Sequence, residues 1–381
     1  MGLFRLFPQA GPSDTLAASR AREGPLETKE LRMEQRTLRP TVPAAEAILG
    51  KYFPVLDNGF IALKDYMGCD EGIEEAARLS YQGGTRQTSE TRGLVRYLRR
   101  LRHTSPSEMA ELKFHVSMPI FVARQWVRHR TASLNEVSAR YSLLPMIFYT
   151  PKKENFLPQA KNNKQGREDG ASFEDEGLYE RTVIEWNNER KRSSGLYENL
   201  AADGVARELA RIDLPLSTYT QWYWKVDLHN LLHFLTLRAD EHAQWEIRQY
   251  ANVIVGMVKR LAPLTYQAWI DYEHMSARFS RMEMEVLQEL VSVLTQEEDG
   301  QAGVDTAAGS PTSGNFISHE ELVKRIGSKR EVQEFYAKLT KRYVRPGFDI
   351  SEADAKPPEW FEERMANATP KIDAAPKGVA T

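Results

Sequence analysis

The sequence predicts an α+β protein: a mixed or antiparallel sheet packed against long helices, with a helix-rich C-terminal half. Two patterns carry that expectation. Period-two alternation of apolar and polar residues recurs at 59–66 and 111–117, and 218–226 is an aromatic-rich strand candidate, whereas helical spacing dominates from 179 to 275. A third observation, 41% hydrophobic residues in a 381-residue chain, supplies ample core for one large domain with decorated ends.

Residues 1–45 mix Arg, Glu, Pro and Ala without sustained periodicity, which reads as a loosely packed leader. The globular text follows, with a strand at 59–66, a short amphipathic helix at 73–81 and a helix at 91–102 presenting Leu94, Tyr97, Leu98 and Leu101 on one face. At 111–117 Leu112, Phe114 and Val116 alternate inward as a strand. Pro119 then opens an arginine-rich helix at a position where a missing N–H costs nothing. A strand-like piece at 146–150 precedes a charged insertion at 159–177, whose Gly and Asn content reads as an exposed loop. Helices are expected at 179–199, 202–212, 230–237, 242–261 and 263–275, with a break at Leu214-Pro215-Leu216 and an aromatic strand at 218–226. Beyond 297 the composition is that of a linker. Capping-box pairs Ser318/Glu321 and Ser328/Glu331, and a stripe of Val332, Phe335, Tyr336 and Leu339, announce a small helical appendage. The expected organisation is a leader at 1–45, a catalytic domain at 46–280, a helix end and linker at 281–315, and the appendage with its tail at 316–381. No internal repeat is visible.

With 51 basic and 53 acidic residues there is no global field for nucleic acid or an anionic membrane, so any anion site must be local. A single cysteine, Cys69, excludes an intramolecular disulfide and a multi-cysteine metal cluster. The apolar start is too short for a signal peptide, and Leu6 stands where a myristoylation motif wants Ser or Thr. No apolar run approaches spanning length, so the expectation is a soluble cytoplasmic protein with no membrane or nucleic-acid partner.

Chemistry concentrates at 124–141, where Arg124, Arg128, His129, Arg130 and Arg140 stand beside Asn135, Glu136 and Ser138. Arginines next to directional hydrogen-bonding groups suit a phosphorylated ligand. The bland alternative is a solvated face, with Arg124 and Arg128 paired to Glu136 and Glu108. Against it, Pro119–Ala123 and Trp126-Val127 are apolar on almost every side, predicting a largely buried helix whose arginines need anions.

A second constellation places His229 and His233 four apart, followed by Arg238 in an apolar helix. A metal site would need His242 or Glu241 as third ligand, and Asn230 occupies the position where a zinc protease carries its general base. The expectation is therefore no metal, with two core histidines as the ordinary reading. Arg238, and Arg211 in a similar apolar setting, are fixed cations awaiting an anion.

These residues resemble the flavin-dependent thymidylate synthase family, whose motif is Arg-His-Arg, seven residues, then Ser: here Arg128-His129-Arg130 through Ser138. The resemblance extends to Asn135-Glu136, Arg140-Tyr141-Ser142, Leu237-Arg238-Ala239-Asp240 and His242-Ala243-Gln244-Trp245-Glu246, and covers roughly 55–275. It implies methylation of dUMP at C5, with carbon from methylenetetrahydrofolate and hydride from reduced FAD that NADPH recharges. It also implies a homotetramer with sites at subunit junctions. By position, Gln125, Arg128, Glu136, Ser138, Ala139 and Arg140 would hold dUMP, with Arg211 from a neighbouring subunit, and Arg238 would contact the pyrimidine as the catalytic residue. Ser105, Arg128, His129, Arg130, Glu136, Asp227, His229 and His233 would line FAD, with Ser80, His103 and His242 as additions. Asp227, His229 and His233 stand where some members have Asn, Arg and Asn, which leaves their individual flavin contacts open; Ala139 replaces a frequent glycine.

The implied chemistry is sound for these residues. Uracil C5 is a weak nucleophile, and a fixed cation near a ring carbonyl draws charge onto the ring edge. Ser138 lacks an assured base and reads as a binding group, while Cys69, far from the motif, reads as dispensable. Two rivals remain open on sequence: a nucleotide- or RNA-binding protein using the same arginines with Trp126 and Tyr141, and a metal-dependent hydrolase built on His229, His233 and His242.

Overall fold

A computed structural model describes residues 39–80, 90–161, 166–168, 170–299, 317–340 and 347–368. The described elements lie in the second of two units, Thr41–Thr381. The expected leader up to residue 38, the linker at 300–316 and Tyr81 of the second predicted element lie outside the described residues.

The elements of the second unit run α1 (Pro43–Glu46), β1 (Tyr52–Val55), β2 (Gly59–Met67), α2 (Asp70–Leu79), α3 (Thr91–Arg100), α4 (Ser105–Glu108), β3 (Glu111–Pro119), α5 (Ile120–Trp126), β4 (Ser133–Glu136), α6 (Leu178–Ala202), α7 (Arg207–Ala210), β5 (Tyr219–Asp227), α8 (Leu228–Arg238), α9 (Trp245–Leu261), α10 (Pro263–Trp269), α11 (Arg281–Asp299), α12 (His319–Ile326), α13 (Lys329–Thr340) and α14 (Glu359–Ala368). The five strands form one sheet in the order β1-β2-β3-β5-β4, every pair antiparallel. The α+β expectation thus holds, and the mixed sheet resolves to a purely antiparallel one.

Alternation decides which face of the sheet is buried. Leu112, Phe114 and Val116 of β3 and Trp222, Trp224 and Val226 of β5 point into the core shared with Leu231, Leu232, Phe234 and Leu235 of α8. There α9 supplies Tyr250, Ile254, Val255 and Val258. Full burial of each such side chain is worth about 1.5–3 kcal/mol, which is why register is strongly specified. A smaller core joins Val286 of α11, Leu322 and Ile326 of α12, and Val332 and Phe335 of α13. At both predicted capping boxes the serine half forms: the Ser318 hydroxyl accepts from the Glu321 N–H at 3.1 Å, and that of Ser328 from the Glu331 N–H at 3.2 Å.

Residues 347–368 then return to the main unit. Phe348 joins its core, and Ile350 lies so close to α9 that a Cβ on Gly256 would meet its Cγ2 at 2.9 Å. In α14, Phe361 packs on the other face of the sheet, 4.5 Å from the ring of Phe60 and 4.9 Å from that of Tyr52, and the Trp360 indole donates to the Asn58 carbonyl at 3.0 Å.

Several local expectations are corrected. The helix predicted at 202–212 shrinks to Arg207–Ala210, because Gly204 takes φ of 82° and ends α6. At 146–150 only a single bridge forms, Phe148 to Thr218, whereas an unforeseen strand appears at Ser133–Glu136. In α3 the buried face is Leu98 with Val95, while Tyr97 and Leu101 are exposed. Likewise Tyr336 and Leu339 of the appendage face outward. The insertion is more than an exposed loop: Arg167 pairs with Glu246, whose side chain is buried.

Candidate active site

The site grows from the junction of β3 and α5. Pro119 ends the strand and precedes the helix, whose first N–H groups are taken by carbonyls of the 214–218 segment: Ile120 by Thr218 at 2.9 Å and Phe121 by Leu216 at 3.1 Å. The helix stops at Trp126. That indole is fully buried among Trp222, Trp224, Phe234 and Tyr250. With its end anchored there, the chain turns outward and carries Arg128-His129-Arg130 into a surface turn. This corrects the expectation of arginines on a buried helix. Val122, Ala123 and Trp126 take the buried side, and Arg124, Arg128 and Arg130 are exposed. Among the described residues none of the three has an acidic partner, so the solvated-face pairing with Glu136 and Glu108 does not form.

His129 is half-buried, its ring edge-on to Phe234 at 4.8 Å and 6.1 Å from that of His233. Arg238, also half-buried at the end of α8, donates from Nε to His129 Nε2 at 3.1 Å. Burial, then the Arg238 and His233 charges, hold the His129 imidazole down to a pKa of about 4. It is therefore neutral near pH 7, with Nε2 accepting and the proton on Nδ1. A neutral acceptor holds the guanidinium without adding a competing charge.

Beyond the turn, β4 pairs with β5, and Glu136 accepts from the Thr220 hydroxyl at 2.5 Å. The Ser138 hydroxyl accepts from the Arg140 N–H at 3.2 Å, a backbone-shaping bond rather than one to a base. Ala139 is buried, and Arg140 is exposed and paired with Glu208 of α7 at 2.8 Å. Arg211 follows α7; contrary to its expected apolar setting it is exposed, because the short helix buries only Ala210. Among the described residues no side-chain hydrogen bond or ion pair joins Arg211 to the other predicted nucleotide residues.

Asp227 caps α8, accepting from the backbone N–H of Asn230 at 2.9 Å and from its side-chain amide at 2.7 Å. This places His229 and His233 on one helical face; His233 is exposed and the buried His229 Nδ1 has no hydrogen-bond partner among the described residues. The N-terminal end of α8 is tied to the α4–β3 connection through the Leu228 N–H and the Ala110 carbonyl at 2.7 Å, which brings the Ser105 helix alongside. Ser105, His103 and Ser80 are exposed. His242 is exposed and bonded to Asp240 at 2.8 Å rather than turned toward His229 and His233. Among the described residues no three His, Cys, Asp or Glu side chains gather as a metal-ligand set. Exposed arginines, imidazole faces and an orphaned buried Nδ1 instead suit a diphosphate-bearing aromatic group.

Sequence reasoning missed two contacts. Thr220 fixes Glu136, and Gln244 takes the Gln125 side-chain amide. Gln244 is marked in the sequence only by the resemblance, and nothing in its local spacing announces the bond.

A family model described as thymidylate synthase complementing protein matches residues 62–264. The flavin-dependent thymidylate synthase of Wolbachia pipientis wMel is 49% identical over 268 residues, 70% of this chain and 93% of that protein. That of Rickettsia prowazekii (strain Madrid E) is 48% identical over 305 residues, 77% of this chain and 99% of that one. Among solved structures, the UMP/dUMP methylase PolB from Streptomyces cacaoi bound with 5-Br UMP superposes with a TM-score of 0.52 at 33% identity, over 59% of this chain and 99% of that one.

Proposed function

The chain belongs to the flavin-dependent thymidylate synthases, and on that premise we propose that the 125–140 segment and Arg238 form the site at which it reductively methylates dUMP to dTMP. Methylenetetrahydrofolate provides the carbon; FAD, when bound and reduced at the expense of NADPH, supplies the hydride. The carrying observation is the pair of exposed cations Arg128 and Arg130, without an acidic partner among the described residues, flanking His129, which accepts from Arg238.

Arg128 and Arg140 hold the nucleotide phosphate, with Ser138 and the backbone around Ala139 shaping the turn and Gln125 and Glu136 fixing the sugar and base. Arg140 is released from Glu208 when the stronger anion arrives. Arg238 has its Nε bound to His129, so its two terminal nitrogens remain to polarise a uracil carbonyl and stabilise charge that extends to C5. Burial disfavours the charged form and so lowers the Arg238 pKa, yet an arginine remains protonated. Ser105, Arg128, His129, Arg130, Glu136, Asp227, His229 and His233 would hold FAD, with Ser80, His103 and His242 at its margin.

Arg211 completes the phosphate site from a neighbouring subunit of a homotetramer, a role its exposure supports. Residues 46–280 form the catalytic domain and the helices beyond it an accessory part. No described helix is long and apolar enough to cross a membrane. The test is tritium release from C5-labelled dUMP with FAD, NADPH and methylenetetrahydrofolate. Release dependent on all three supports the reading, and a FAD-loaded protein that releases none sinks it.

A further inference from the structure

Gln125 is the first of the proposed nucleotide residues along the chain, and its side chain ends a relay that begins in the 159–177 insertion. Its Nε2 donates to Gln244 Oε1, and Gln244 Nε2 donates to Glu246 Oε2 at 2.9 Å. Glu246 is 1% exposed; its Oε1 accepts from the Tyr149 hydroxyl at 3.0 Å and from Arg167 Nη2. Arg167 is held in turn by the Asn155 carbonyl at 2.9 Å and by the Trp245 ring, 5.9 Å from its guanidinium.

The relay has a direction, and it is set at the Glu246 end. A carboxylate this deeply buried survives as an anion only beside a cation, which Arg167 provides. An ionised carboxylate accepts and cannot donate. Tyr149 must therefore be the donor, and burial, together with Glu246, pushes the phenol pKa up. Gln244 must turn its amide NH2 to Glu246, which turns its carbonyl to Gln125. Gln125 must then turn its own NH2 to Gln244. Its carbonyl oxygen is left as an acceptor. An amide side chain free to flip would offer donor or acceptor alike; this one is committed.

We infer that Arg167, acting through Glu246 and Gln244, is a positioning residue that fixes the Gln125 amide so that its oxygen accepts a hydrogen bond from the bound nucleotide. The donor on that ligand is a ribose hydroxyl or the uracil N3–H. This rests on the reading that dUMP binds at the 125–140 segment.

The test uses the full-length FAD-loaded enzyme, with the dUMP dissociation constant from calorimetry and kcat and KM for each substrate. Arg167→Met is expected to weaken dUMP binding about tenfold, as for the loss of one well-formed polar contact, with kcat and the NADPH KM held within about twofold. Arg167→Lys restores most of the affinity. In a Gln125→Ala background Arg167→Met adds less than about twofold, because the two act on one contact. Glu246→Gln, which keeps the shape but lets the amides reverse, weakens dUMP binding in the same way and serves if Arg167→Met does not fold. Multiplicative effects of Arg167→Met and Gln125→Ala, or equal losses for every substrate, would show a structural role only and overturn the inference. A wild-type enzyme that turns over dUMP beside variants with unchanged dUMP affinity overturns the inference alone; a wild-type protein that binds no dUMP overturns the functional reading and the inference with it.

Discussion

Replacing Arg238 by glutamine removes a fixed charge while keeping an amide that can still donate to His129 Nε2, now 3.1 Å from Arg238 Nε. Two unit charges about 4 Å apart interact by about 4 kcal/mol at an effective dielectric of about 20. The guanidinium is half-buried and the charge developing on uracil is partial, so roughly 2–3 kcal/mol of that is realised, or about 30- to 150-fold in kcat. Arg238→Lys keeps the charge but loses the planar fork and is expected to cost about tenfold. The assay is single-turnover dTMP formation on pre-reduced enzyme at saturating dUMP, which separates this step from NADPH oxidation. Loss of the Arg238 charge should also raise the His129 pKa above about 4, though only in part, because burial is the larger cause. An Arg238→Gln enzyme within about threefold of wild type would refute the electrostatic role assigned to this residue.

Other outcomes follow from the same geometry. Ser138→Ala should raise the dUMP KM about tenfold with little change in kcat, since the hydroxyl shapes the Arg140 turn; lost turnover at unchanged affinity would make Ser138 a nucleophile. Cys69 precedes α2, half-buried, with its thiol pKa raised chiefly by burial, so Cys69→Ala should keep full activity; a folded but inactive variant would point to thiol catalysis. His115 is buried against Tyr223 and Phe361 with its pKa held down to about 4 by burial, against about 6.5 when unfolded. The unfolded chain then binds more protons between these values. Stability should fall as pH drops through 6.5 toward 4, by about 3 kcal/mol at most from this residue. Urea unfolding at both ends of that window measures it, and a His115→Gln variant with an undiminished acid loss would exclude His115 as its source.

The strands that bury one face were legible because alternation is the imprint of that burial. In β3, Leu112, Phe114 and Val116 show it plainly. By contrast β4 carries four exposed residues and is held by its backbone to β5, so no side-chain pattern marks it. The apolar run before Arg128 read as a buried helix carrying its arginines inward. In the fold Trp126 takes the burial and ends the helix, which turns the same arginines out. The motif residues could be named in sequence, but their wiring could not. Glu136 to Thr220, Gln125 to Gln244 and Arg167 to Glu246 are pairs 84, 119 and 79 residues apart, and spacing within an element carries no trace of them. The return of Trp360 and Phe361 to the sheet is of the same kind.

The central claim is that nucleotide and flavin meet at the Arg128–Arg140 segment beside Arg238. Titrating dUMP into the FAD-loaded protein while recording the flavin visible spectrum tests it directly. The account predicts a saturable shift of the flavin bands that follows calorimetric binding and disappears in Arg128→Ala. Calorimetric binding of dUMP with an unchanged flavin spectrum would place the two ligands apart and contradict it.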